Sequence, residues 1–102
     1  MQAIITENRE KIAALCRAHH VRRLSVFGSA VRDDFDPERS DVDLLVEFDL
    51  LPYPHSVENF WSLQRELIAL FARPVDLVRE GRVRNPFLLR EIRSEQETLY
   101  AA

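Results

Sequence analysis

The spacing of apolar and polar positions changes several times along this chain, and each change marks an element. From Thr6 to His19 the apolar positions Ile5, Ile12, Leu15, Cys16 and His19 follow helical spacing, with Lys11 and Arg17 among the polar ones. Val21 to Gly28 alternates as a strand, with Leu24, Val26 and Gly28 on one face and Ser25 and Phe27 on the other. The polar, acidic stretch from Ser29 to Ser40 reads as a helical turn followed by a loop around Pro37. Val42 to Phe48 is the clearest strand: Val42, Leu44, Val46 and Phe48 point one way, and Asp41, Asp43, Leu45 and Glu47 the other. Pro52 and Pro54 break the chain, and Ser56 is predicted to cap a helix running to about Phe71. Its stripe of Val57, Phe60, Trp61, Leu67, Ile68 and Phe71 predicts the face that meets the core. Pro74 precedes a short strand, Val75 to Val78. Asn85 is predicted as an N-cap with Pro86 at the first helical position, opening a last helix through Leu88, Leu89 and Ile92, with Leu99 its outermost candidate. The order α-β-(α)-β-α-β-α predicts an α/β (α+β) fold, a small β-sheet with packed helices.

Composition narrows the class. At 102 residues the chain has room for one core, so residues 1–102 are expected to form a single domain. With 46% apolar and 30% charged residues it reads as globular, neither disordered nor fibrous. Cys16 is the one cysteine, which excludes a disulfide framework or a multi-cysteine metal site and suits a reducing compartment. No apolar run approaches the ~18–20 residues that cross a bilayer. The first residues also lack the pattern of a signal peptide, so a cytoplasmic protein with no membrane association is expected.

The net charge of −3 is too mild to indicate nucleic-acid or membrane binding. Its distribution is more telling. Eight acids stand against the single base Arg39 between Asp33 and Asp49, and five arginines against Glu80 and Glu91 between Arg79 and Arg93. Arg82, Arg84, Arg90 and Arg93 read either as a solvated helix face or as a basic surface for an acidic partner or RNA, and a partner surface is preferred.

The chemistry concentrates in two segments, Val26-Phe27-Gly28-Ser29-Ala30-Val31-Arg32 and Ser40-Asp41-Val42-Asp43-Leu44-Leu45-Val46. Carboxylates at i and i+2 of a strand project from one face, about 6–7 Å apart, and repel one another when both are ionised. A cation between them relieves this, and Mg²⁺ prefers carboxylate oxygens while sharing its shell with substrate phosphates. Glycine at a strand end permits close approach of a ligand, and the turn after it offers N–H groups and the Ser29 hydroxyl to an anion. Arg32 follows one turn on, within reach of a phosphate. Asp76 is an acid inside the apolar strand Val75–Val78. If that strand lies beside Val42–Phe48, Asp76 joins Asp41 and Asp43 on one face, where two Mg²⁺ ions would suit in-line displacement at phosphorus.

Gly28-Ser29, eleven further residues, then Asp41-Val42-Asp43 resembles the signature of the DNA polymerase β-like nucleotidyltransferase superfamily. The flanking Phe27 and Leu44-Leu45-Val46-Glu47-Phe48, with the later Val75-Asp76-Leu77-Val78, are similar to its minimal nucleotidyltransferase (MNT) branch, over about Val21 to Tyr100. Many relatives continue Gly-Ser-x-Ala-Arg-Gly; here Val31 and Asp33 replace the alanine and the second glycine. The resemblance implies a mixed-sheet polymerase β-like core with Mg²⁺ at Asp41, Asp43 and Asp76, and ATP phosphates at Gly28 and Ser29 with Arg32 nearby. It further implies an antitoxin that transfers AMP from ATP to a tyrosine hydroxyl of a partner HEPN-domain ribonuclease toxin. The alternative is a non-catalytic antitoxin that neutralises the toxin by binding and occlusion.

Other residues carry plainer expectations. His19 and His20 read as cations at a helix C-terminus, Cys16 as core packing, and Phe60 and Trp61 as core. Asp76 could instead pair with Arg73 or Arg79. A small amphipathic tail ending in Leu99-Tyr100 is expected to dock onto another chain.

Overall fold

A computed structural model describes residues 3–31 and 41–102. Helices α1 (Ala3–Thr6) and α2 (Arg9–Ala18) lead into β1 (Val21–Phe27) and a 3-10 turn over Gly28–Ala30. Then come β2 (Val42–Phe48), α3 (His55–Phe71), β3 (Val75–Arg79), a second 3-10 turn at Glu80–Arg82, α4 (Pro86–Glu95) and β4 (Glu97–Ala101). The expected first helix is divided at Asn8, whose side-chain amide donates to the Ile4 carbonyl at 2.7 Å and so closes the end of α1. At the other end of the chain, Asn85 caps α4 as expected: its Oδ1 accepts from the Phe87 and Leu88 amides at 2.9 and 3.3 Å, and Pro86 takes the first turn.

The four strands form one mixed sheet in the order β3-β2-β1-β4. β1 is antiparallel to both β2 and β4, while β2 and β3 are parallel, joined through α3. Alternation along the strands sorts the two faces. Leu24 and Val26 of β1, Val42, Leu44 and Val46 of β2, and Val75 and Leu77 of β3 are buried together with Ile5, Ile12, Cys16, Leu63, Leu67 and Phe71 from the helices. This face is the core. The opposite face carries the polar members of the same strands and is approached by the C-terminal end of α4.

Two expectations are corrected. Leu99 and Tyr100 do not form a helical tail for another chain: they belong to β4, which pairs along β1 with Val26 opposite Glu97 and Leu24 opposite Tyr100. Leu99 is buried against the core at an irregularity in that ladder. The β-favouring Thr98 and Tyr100 find a free strand edge there, and an edge already formed outweighs the local helical pattern. The second correction concerns α3, which begins at His55 without a cap from Ser56. It buries Leu63, Leu67 and Phe71, with Phe60 partly buried, whereas Val57, Trp61 and Ile68 are 41%, 52% and 38% exposed. At 100° per residue these three lie roughly 100° round the helix from the buried row, so the predicted stripe was two rows, of which the sheet covers one.

Cys16 packs in the core as expected, and burial pushes its thiol up to about 12. His19 is the C-cap of α2, but its ring also bridges two helices, with Nδ1 2.8 Å from the Leu15 carbonyl oxygen and Nε2 3.0 Å from Ser62 Oγ on α3.

Candidate functional site

Strand register brings the sequence-predicted acids together. In the antiparallel β1–β2 ladder Phe27 lies opposite Asp43, and in the parallel β2–β3 ladder Asp43 lies beside Asp76. Phe27, Asp43 and Asp76 thus form one rung across three strands, with side chains on the face away from the core. Asp41 lies just before β2, two residues from Asp43. Asp43 is half-buried, and Asp41 and Asp76 are exposed. Among the described residues Asp76 makes no ion pair, so the pairing with Arg73 or Arg79 is not formed; Arg79 instead lies over the Phe48 ring, 5.8 Å from its centroid. Like charges on one face raise one another's free energy, and this site holds them at the mouth of the sheet rather than in its interior.

The turn after β1 closes over this rung. Gly28 has φ +71°, in the left-handed region, and a Cβ there would run into the Asp43 carboxylate, with Cγ only 3.3 Å away. The backbone therefore passes close above Asp43 because residue 28 has no side chain. The Gly28–Ala30 turn is held by the Val31 amide donating to the Gly28 carbonyl at 3.1 Å. Ser29 is half-buried beside it, and its hydroxyl makes no hydrogen bond among the described residues. Arg32 and Asp33 lie outside the described residues.

The donor set suits a hard divalent cation: Asp43 and Asp76 side by side, Asp41 just before β2, and no soft ligand beside them among the described residues. Among the described residues they are not drawn into a closed coordination group of three.

One neighbour was missed from the sequence. The Gly28 amide donates to Glu95 Oε1 at 3.0 Å, bringing the last residue of α4 to the loop. The signal lay in β4: with Val26 opposite Glu97, extending the ladder two residues sets Glu95 opposite Gly28. A shallow cleft of about 210 Å³ runs from there along the same face, lined in part by Ser25, Leu45, Glu80, Arg93 and Gln96. Its Arg93 is paired with Glu80 at 2.9 Å, so this member of the expected basic surface is engaged within the chain.

Strand order, the acid rung and the glycine-opened turn are those of a nucleotidyltransferase. The model of the nucleotidyltransferase domain matches residues 9–100, and the chain belongs to that family, in its minimal (MNT) branch. The protein adenylyltransferase MntA of Thermococcus cleftensis is 36% identical over 94 residues, covering 81% of this chain and 91% of the relative. A solved toxin–antitoxin complex with AMP-PNP matches with a TM-score of 0.69 at 25% identity, over 93% of this chain and 74% of that one. A tri-AMPylated Shewanella oneidensis HEPN toxin in complex with its MNT antitoxin shares the fold, with a TM-score of 0.64 at 23% identity over 96% and 73% of the two chains. Among the described residues no helix is long and apolar enough to cross a membrane.

Proposed function

We propose that this nucleotidyltransferase is the antitoxin of a toxin–antitoxin pair, with residues 1–102 acting as one minimal domain that transfers AMP from ATP to a tyrosine hydroxyl of a HEPN ribonuclease toxin. The observation that carries the reading is the rung in which Asp43 and Asp76 stand side by side beneath Gly28. The names of the similar proteins support the donor and the partner: one is a protein adenylyltransferase, and two are toxin–antitoxin complexes, of which one contains AMP-PNP and the other an AMPylated HEPN toxin.

In this mechanism Asp41, Asp43 and Asp76 would hold Mg²⁺. An ion held there would supply neutralisation of triphosphate charge and a lowered pKa for the acceptor hydroxyl. The turn at Gly28–Ser29, with Arg32 beyond it, cradles the phosphates, Gly28 by leaving space and Ser29 by offering its hydroxyl. The tyrosine hydroxyl gives up its proton to solvent as its oxygen attacks the α-phosphorus, the bond to the bridging oxygen breaks, and pyrophosphate leaves. Positioning and electrostatic stabilisation supply the rate.

Intact-mass spectrometry of the partner toxin after incubation with this protein and Mg-ATP tests the reading. Added AMP units, absent when the Asp41→Asn/Asp43→Asn double variant replaces the parent, are expected. An unchanged toxin mass, with the double variant still binding and blocking toxicity, would replace transfer by occlusion.

A further inference from the structure

The Gly28 amide stands at the entrance of the phosphate loop, yet its acceptor is the protein's own Glu95. A carboxylate oxygen taking an N–H beside a left-handed glycine is the same pairing that a phosphate oxygen makes with such a loop: an anionic acceptor on a backbone donor. One N–H serves one strong acceptor, and a carboxylate facing a phosphate across it is repelled. The contact also connects two remote parts of the chain, because Glu95 ends α4 and only Gln96 separates it from β4.

We propose that Glu95 is a positioning residue that occupies the Gly28 amide in the nucleotide-free protein and is displaced by a phosphate oxygen of an incoming nucleoside triphosphate. Rigid closure of the loop before binding and release of the α4 terminus on binding follow from this exchange. The inference rests on reading Gly28-Ser29 as the phosphate loop. It gives α4, whose first turn exposes Phe87 and Leu88, a state that depends on nucleotide.

The test measures equilibrium binding of AMP-PNP with Mg²⁺ to the parent, Glu95→Ala and Glu95→Gln, together with amide hydrogen exchange. A charge-assisted hydrogen bond that no longer has to be surrendered makes Glu95→Ala bind about tenfold tighter. Glu95→Gln, which keeps an acceptor without the charge and preserves the local packing, falls between the two. In the parent the Gly28 amide is protected with and without nucleotide, while the Gln96 amide, bonded to the Ile92 carbonyl at 2.9 Å, exchanges faster once nucleotide is bound. In Glu95→Ala the Gly28 amide becomes protected only with nucleotide. Unchanged or weaker binding by both variants, with exchange at the end of α4 indifferent to nucleotide, would make Glu95 a fixed brace and overturn the proposal alone. Failure of the parent and both variants to bind AMP-PNP would overturn the phosphate-loop reading along with it.

Discussion

At Gly28 two constraints coincide, a left-handed backbone and a carboxylate where a Cβ would go. Gly28→Ala is therefore expected to lower stability by about 1–3 kcal/mol, read from urea unfolding, and to weaken nucleotide binding as Asp43 is pushed aside. Ala72 presents the opposite case: it closes α3 at φ +54°, also left-handed but with a methyl group, and it is exposed. Ala72→Gly should raise stability by about 0.5–1 kcal/mol in the same assay. Asp76→Asn removes a like charge from an exposed rung, so transfer should fall about 100-fold or more while the unfolding midpoint holds or rises. The placing of Asp43 beside Asp76 and of Gly28 above them was legible in the sequence because each is a local exception, a glycine ending a strand or an acid inside one. Glu95 was not legible, since an acid at the end of a helix is ordinary and only long-range pairing gives it a role.

Elements were readable where their own pattern decides them. β2 and β3 are short apolar runs each interrupted by an acid at its second position, and Asn85-Pro86 announces α4 by a mechanism contained in three residues. Asn85→Ala should accordingly cost about 0.5–2 kcal/mol, measured by thermal unfolding. In α3 the helix was legible but its orientation was not, because two adjacent apolar rows satisfy the same period and only the position of the sheet selects between them. That selection can be tested with two variants: Leu63→Ala should cost about 2–5 kcal/mol, whereas Trp61→Ala, which loses half-exposed contacts with Phe60, should cost about 1 kcal/mol. β4 escaped notice because its five residues carry a weak pattern, and the available edge of β1 settles their conformation.

Across the whole molecule the sheet separates two tasks, with core on one side and carboxylates on the other. Among the described residues the buried core side contains one ionisable group, Cys16. With its thiol raised from 9.0 to about 12, the folded protein keeps the proton that the unfolded chain gives up. Stability is thus fully present below about pH 9 and falls by about 1.4 kcal/mol per pH unit toward pH 12, a slope that denaturation across this range would show and Cys16→Ala would flatten. The pairing of β1 with β4 has a consequence in time. β1 and β4 are the first and last of the four strands along the sequence yet neighbours in the sheet, so their pairing closes the longest loop between any two adjacent strands and costs the most chain entropy. That edge of β1 is therefore expected to be covered late in folding, and the contact between Glu95 and Gly28 beside it forms only when the two distant segments meet.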